Sequence, residues 1–313
     1  MVSSALQEEF LAIASGGVRF EEPMRFHTSF HIGGPAGIWA QPRDSDGLRR
    51  LLLLARQADL KVTVVGGGAN LLVRDEGIPG LVIRLASRGF QDCRRQNGSL
   101  SVGAGLPLDW LIRRAQEAGL SGVEFLAGVP GRVGGAVRMN AGTHDDEGRM
   151  HSMNEILHSV TVMDLAGETA EIPAAEIPFR YRSAELGDRI VLGATLSLRP
   201  DDPQEIAGRV RRLWDFKKRT QDWSSPSAGC IFKNPEPGEC PQGVVPAAGW
   251  LIDQVGLKGC RVGGAMVSQV HANFIMNVGD ATAQDVWSLI EKIRHQVSER
   301  FGVKLGLEVR TLP

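Results

Sequence analysis

The sequence predicts a mixed α/β protein, and three stretches carry that prediction. A β-branched strand at 61–65 runs straight into Gly66, Gly67 and Gly68 and is answered by a second strand at 81–85, the outline of a short α/β unit. Strands at 159–163, 168–172 and 190–198 then read as a largely antiparallel sheet. Last comes an amphipathic helix capped by Thr282 and stopped by Gly302, with Val286, Leu289, Ile290, Ile293 and Val297 on one face and Asp285 three residues after the cap.

The remaining elements follow from the same periodicities. Ser45 or Asp46 is placed to cap a helix over 45–58, because Leu48, Leu51, Leu52 and Ala55 recur at spacings of three and four. A strand at 100–102 precedes a helix at 106–118, whose stripe is Leu108, Leu111, Ile112 and Ala115 and whose stop is Gly119. The helix predicted from Pro203 to about Gln221 buries Ile206, Val210, Leu213 and Trp214. Residues 250–255 read as helix and 272–277 as strand. Val303, Leu305, Leu307 and Val309 alternate with Lys304, Gly306, Glu308 and Arg310, which predicts a closing strand with one buried face.

Composition sets the class of partner. With 313 residues, 42% of them hydrophobic and 23% charged, the chain can build more than one core and is neither disordered nor fibrous. A net charge of -1 supplies no basic field, so small molecules are expected in place of nucleic acid or membrane. The first ten residues lack a cationic segment leading into an apolar core, and no run is long enough to span a bilayer; the expected location is cytoplasmic. Cys93, Cys230, Cys240 and Cys260 have neither the number nor the spacing of a disulfide framework or a zinc pair, and the seven histidines show no metal-ligand spacing, so no metal is expected.

Glycine is abundant, at 38 residues against a single tyrosine, and it clusters at 66–68, 128–142 and 259–264. The first cluster follows a strand, so its successive N–H groups can form a nest for a diphosphate; it does not match the GxGxxG pattern of a nicotinamide site. The second, from Gly128 to Gly135, leads into a short helix at Arg132. Each alone also reads as a tight turn, and together they read as a dinucleotide clamp. Three polar candidates stand elsewhere. Arg182, beside Tyr181, has the fork geometry for a carboxylate, although it reads equally as a solvated arginine near a strand end. Between Pro226 and Pro235, Cys230, Lys233 and Asn234 bring a transferable proton, a cation and an amide into one stiff loop, although Cys230 also reads as a small core residue. Glu308 near the chain end reads equally as a surface partner of Lys304 or Arg310.

In their order along the chain these pieces resemble the UDP-N-acetylenolpyruvoylglucosamine reductase family. The resemblance rests on residues 28–36, the Gly66 loop, the Gly128–Gly135 loop with Asn140-Ala141-Gly142, Tyr181-Arg182-Ser183, residues 227–235, residues 248–254 and Glu308. It implies the FAD-binding fold of the vanillyl-alcohol oxidase class in two N-terminal subdomains, 1–86 (rejoined by 304–313) and 87–202, with an α+β substrate domain at 203–303. It implies bound FAD, NADPH as reductant, and reduction of an enolpyruvyl ether of UDP-N-acetylglucosamine to UDP-N-acetylmuramate for peptidoglycan synthesis. Carried over by motif, the proton donor falls on Cys230, where the family commonly has serine. Arg182 and Glu308 stabilise the enolate-like carboxylate. Tyr181, Lys233, Asn234 and Gln254 fall on the substrate side, and Val65, Gly66, Gly67, Gly68, Ala69, Asn70, Leu71, Gly128, Pro130, Gly131, Gly134, Gly135, Asn140 and Gly142 on the cofactor side. With Tyr181 as the only tyrosine, the chain resembles the branch that lacks an inserted tyrosine loop. The rival readings are another flavin oxidoreductase of the same fold and a nucleotide-sugar binding protein without turnover. Residues 143–152 carry no assignment.

Overall fold

A computed structural model describes residues 3–13, 17–96, 98–145 and 147–313; Met1 and Val2 of the N-terminal stretch read above lie outside them. The architecture is mixed α/β, and the chain forms two compact units. The first comprises residues 1–21, 37–67 and 79–217, the second residues 22–36, 68–78 and 218–313.

In the first unit, helix α1 (Ser4–Ile13) and helix α2 (Ser45–Gln57) accompany a four-stranded sheet in the order Val18–Pro23, Pro35–Ala40, Ile78–Arg84, Val62–Val65. The last two strands are parallel, with Val65 opposite Arg84. Helix α2 buries Leu48, Leu51, Leu52 and Ala55, at about 1.5–3 kcal/mol for each fully buried leucine. Its cap is Asp44, one residue before Ser45 and two before Asp46, the candidates from sequence: the Asp44 carboxylate accepts from the Gly47 N–H at 2.8 Å. An aspartate there satisfies a first-turn donor and complements the helix dipole at once.

The predicted antiparallel sheet is present, in the order Thr169–Pro173, Leu157–Met163, Ile190–Ser197, Ser99–Gly103, Cys93–Gln96. Helix α3 (Leu108–Glu117) starts two residues later than expected, after Pro107, and ends at Gly119 with φ +63°. Helix α4 (Val133–Arg138) has Arg132 as its N-cap, and helix α5 (Pro203–Thr220) closes the unit with Ile206 and Leu213 buried. One continuous core runs through these elements.

The second unit has its own core. Its sheet has the order Ser227–Cys230, Phe274–Asn277, Ala265–Val267, Arg261–Val262, all antiparallel, with helix α6 (Ala248–Gln254) and helix α7 (Ala283–Phe301). Thr282 and Asp285 form the expected capping box, and Gly302 ends α7 at φ +69°. The closing strand differs from expectation. Only Arg310–Leu312 pairs in a ladder, parallel to Leu71–Val73, while 303–309 keeps Val303, Leu305 and Val309 buried without a continuous ladder. The alternation recorded burial, and the segment pairs through an isolated antiparallel bridge, Leu307 opposite Phe232. No helix among the described residues is long and apolar enough to cross a membrane.

Candidate active site

The two glycine loops predicted to act together do meet, within the first unit. A Cβ on Gly67 would lie 2.9 Å from the Gly131 Cα, and one on Gly66 would lie 3.7 Å from the Gly135 Cα. The approach at Gly67 is open only to glycine, while that at Gly66 is an ordinary van der Waals contact. The remaining loop glycines divide by what surrounds them. Gly134 packs on Ala104, its N–H donating to the Ala104 carbonyl at 2.8 Å, and Gly142 lies against the His151 carbonyl. Gly131 (φ +133°) and Gly135 have nothing within 4 Å of a Cβ position, so they line open space. Two touching glycine loops with a bare backbone wall fit a dinucleotide diphosphate.

Cations flank this wall. Arg84 sits opposite Val65, immediately before the first glycine loop, and Arg132 immediately follows Gly131. Burial lowers the pKa of both guanidiniums, and the neighbouring Arg84 lowers that of Arg132 further. Two desolvated like charges beside a glycine cradle suit an anionic group. Sequence reading gave Arg132 only a place at the helix start and gave Arg84, inside the strand read at 81–85, no role.

Tyr181 and Arg182 are the two loop residues of a hairpin whose strands, Phe179–Arg180 and Ser183–Ala184, pair with Arg180 opposite Ser183. Arg182 has φ +58°, a left-handed conformation that costs a side-chain-bearing residue about 1–2 kcal/mol, and its guanidinium lies 5.0 Å from the Tyr181 ring centroid. Asn140, itself at φ +40° and 7% exposed, donates to the Arg180 carbonyl at 3.3 Å and accepts from the Asn154 N–H at 3.0 Å. The amide predicted for the cofactor side thus also ties the Arg182 hairpin to the Asn154 backbone.

The second unit brings Cys230, Lys233, Asn234 and Glu308 together. The Glu308 N–H donates to the Ile231 carbonyl and the Lys233 N–H to the Gly306 carbonyl, each at 2.8 Å, so the Cys230 segment and the Glu308 segment run side by side. Asn70 reaches across 238 positions of sequence to donate from Nδ2 to the Glu308 carbonyl at 3.1 Å, while its own carbonyl accepts from the Arg310 N–H at 3.0 Å. Gly68, at φ +71°, is pressed against the His27 carbonyl. Cys230 is half-buried at the end of its strand, opposite Phe274 and next to a register shift. Gly229 supplies that shift at φ +72°, with open space where a Cβ would stand. It is glycine for its dihedral, since no neighbour lies against it.

Asn273, which sequence reasoning passed over, fixes this strand end. It is 3% exposed; its Nδ2 donates to the Phe232 carbonyl at 2.8 Å and its Oδ1 accepts from the Phe232 N–H at 3.0 Å. A lone amide inside the apolar run 272–276 was the available signal. Asn234 accepts from the Ala248 N–H at 3.0 Å and so caps α6, which supplies no cap of its own. Gln254 is exposed at the other end of that helix, about 10 Å away along a seven-residue rise.

The class of protein now follows from the glycine cradle and its cations: a flavin-binding oxidoreductase. The family model described as "FAD binding domain" matches residues 36–172, spanning both glycine loops. A second model, the C-terminal domain of UDP-N-acetylenolpyruvoylglucosamine reductase, matches residues 221–312, which hold Cys230 and Glu308. Curated relatives of that description come from Anoxybacillus flavithermus, 38% identical with 97% of each chain covered, and from Bacillus subtilis, 37% identical over 95% of this chain and 94% of the relative. The crystal structure of UDP-N-acetylenolpyruvylglucosamine reductase from Thermus caldophilus superposes with a TM-score of 0.78 at 38% identity, covering 95% of this chain and all of the other. The chain belongs to the UDP-N-acetylenolpyruvoylglucosamine reductase family.

Proposed function

We propose that Cys230, Arg182 and Glu308 carry the reduction of the enolpyruvyl ether of UDP-N-acetylglucosamine to UDP-N-acetylmuramate, a cytoplasmic step of peptidoglycan synthesis that uses bound FAD and NADPH. The observation that carries this reading is the pair of 2.8 Å backbone hydrogen bonds that hold the Cys230 and Glu308 segments side by side. Val65 to Leu71 and the Gly128–Gly142 stretch hold FAD, whose reduced form supplies hydride for C3 of the enolpyruvyl group. Hydride addition beside a carboxylate builds negative charge on its oxygens, and that charge is what the protein must meet. Arg182 does so with two parallel hydrogen bonds, from a hairpin strained into presenting it. Glu308 hydrogen-bonds the same carboxylate as its charge grows, which requires a proton on Glu308 or on a water between them. Cys230 gives its thiol proton to C2; an ordinary thiol, with a pKa of about 8.5, holds that proton at neutral pH. Tyr181, Lys233, Asn234 and Gln254 bind the nucleotide sugar, Lys233 as a cation for its diphosphate. In functional terms residues 1–86 and 87–202 serve the cofactor and 203–303 the substrate.

The test is anaerobic. Purified protein carrying its flavin is bleached with one equivalent of NADPH, then mixed with UDP-N-acetylglucosamine enolpyruvate. Return of the oxidised flavin spectrum with formation of UDP-N-acetylmuramate is expected. A flavin that stays reduced in the presence of this substrate overturns the assignment, and a protein that binds no flavin overturns the cradle.

A further inference from the structure

Helix α5 carries a lysine on its apolar stripe. Ile206, Val210, Leu213 and Trp214 define the inward face, and Lys217 continues it at the next turn, four residues after Leu213 and three after Trp214. Lys217 is 2% exposed. A lysine so buried is uncommon, because a desolvated ammonium is expensive unless its protons are taken up. Here Nζ donates to the Ala127 carbonyl at 2.5 Å and to the Phe125 carbonyl at 3.4 Å. These carbonyls belong to the segment that leads directly into Gly128 and the second glycine loop.

The contact continues along the side chain. At Gly128, φ +71°, a Cβ would lie 2.9 Å from the Lys217 Cδ and 3.6 Å from the Trp214 ring, so the glycine leaves the room in which the lysine stem lies. Beyond it, Gly131 and Gly135 line the open wall of the cradle, and Gly67 closes on Gly131. Phe125 is also stacked on the His151 ring, with centroids 6.0 Å apart, which steadies the same segment from its other side. Arg182, a like charge, acts on the ammonium; Glu124, next to Phe125, is engaged by Arg209, by the Ser121 hydroxyl and by the Gly122 N–H. Burial first, and Arg182 second, push the Lys217 pKa down to about 8. The sign is unfavourable for stability. The folded chain disfavours the ammonium, so below about pH 8 the lysine costs folding energy, and the cost is relieved only as pH rises towards the unfolded value. A group that opposes folding at neutral pH, yet clamps two carbonyls of the cofactor segment, is explained by what the clamp holds.

We propose that Lys217 is a positioning residue for the flavin: by fixing the Phe125 and Ala127 carbonyls it holds the Gly128–Gly135 loop in the shape that receives FAD. The inference rests on the reading of the two glycine loops as the FAD cradle. It makes Lys217 a group acting through backbone, without contact to substrate.

The experiment measures FAD affinity of deflavinated full-length protein by flavin fluorescence, with the visible circular dichroism of the bound flavin as a second readout. Wild-type protein binds FAD if the cradle reading is right; failure at that point sinks the cradle. Lys217→Met, which keeps the length and removes the donor, is expected to bind FAD at least about tenfold more weakly, with altered flavin dichroism. Lys217→Arg, which keeps a cationic donor, should recover to within about threefold of wild type on the same scale. Equal loss in both variants, or Met binding within about threefold of wild type, overturns the positioning role while leaving the cradle standing. Should the Met variant fail to fold, Lys217→Gln, which is shorter and uncharged, takes its place. Unchanged FAD affinity in that variant refutes the inference, and about tenfold weaker binding supports it.

Discussion

Replacing Asn273 with alanine tests how the Cys230 strand is held. The asparagine amide makes two hydrogen bonds, 2.8 and 3.0 Å, to the carbonyl and N–H of Phe232, a residue with no exposed surface. Alanine removes both partners and leaves two buried backbone groups unsatisfied, each worth about 1–3 kcal/mol. Local relaxation and water entry recover part of that, so the expected loss is about 2–4 kcal/mol. For a chain of this size such a loss lowers Tm by roughly 5–10 °C. The backbone bond from the Ile231 N–H to the Asn273 carbonyl, 2.9 Å, survives the substitution, so the strand shifts without detaching. A misplacement of about 1 Å at Cys230 suffices to slow proton delivery by roughly 100-fold. Differential scanning fluorimetry reads the first effect. Stopped-flow absorbance reads the second, with flavin reduction by NADPH as the internal control. The reasoning is refuted if Asn273→Ala melts within about 1 °C of wild type, or if it melts early yet reoxidises its flavin at the wild-type rate.

Gly67→Ala places a methyl 2.9 Å from the Gly131 Cα and forces the two glycine loops apart, at a cost of about 1–3 kcal/mol; the protein should fold but lose its yellow colour on gel filtration, and retained flavin would count against the cradle. At the start of α7 the pKa of Asp285 is held down chiefly by the Thr282 N–H, with burial opposing and the Gly264 N–H and Thr282 hydroxyl adding to the effect. A depressed carboxylate stabilises above its unfolded pKa of about 3.9 and loses that stabilisation as pH falls through the folded value. Asp285→Asn should therefore melt below wild type at neutral pH, with the gap closing below about pH 4; a gap independent of pH would assign the effect to packing.

What the sequence made legible was whatever local periodicity encodes. The stripes of α2, α3, α5 and α7, the antiparallel block and the glycine loops all follow from spacings of two, three and four, or from residues with special backbone freedom. What stayed hidden depends on partners distant in the chain. Asn70 looks like part of a phosphate nest, yet its amide is spent 238 residues away on the Glu308 carbonyl. Asn140 reads as a cofactor-side residue, and its side chain also carries the Arg182 hairpin through the Arg180 carbonyl. The 303–309 segment has the burial pattern of a strand, but its bonds to Ile231 and Lys233 make one isolated antiparallel bridge, Phe232 opposite Leu307, without extending into a ladder. Lys217 and Asn273 were missed despite a local signal, a charge in register with an apolar stripe and an amide inside an apolar run.

The account turns on Cys230 as the proton donor at C2. A single-turnover comparison of wild type, Cys230→Ser and Cys230→Ala, each reduced with NADPH and mixed anaerobically with the enolpyruvyl substrate, tests it most directly. All three should accept electrons from NADPH at similar rates. Wild type and the serine variant should then form UDP-N-acetylmuramate, and the alanine variant should form none. Product from Cys230→Ala at the wild-type rate, or loss of both half-reactions in that variant, would contradict the assignment.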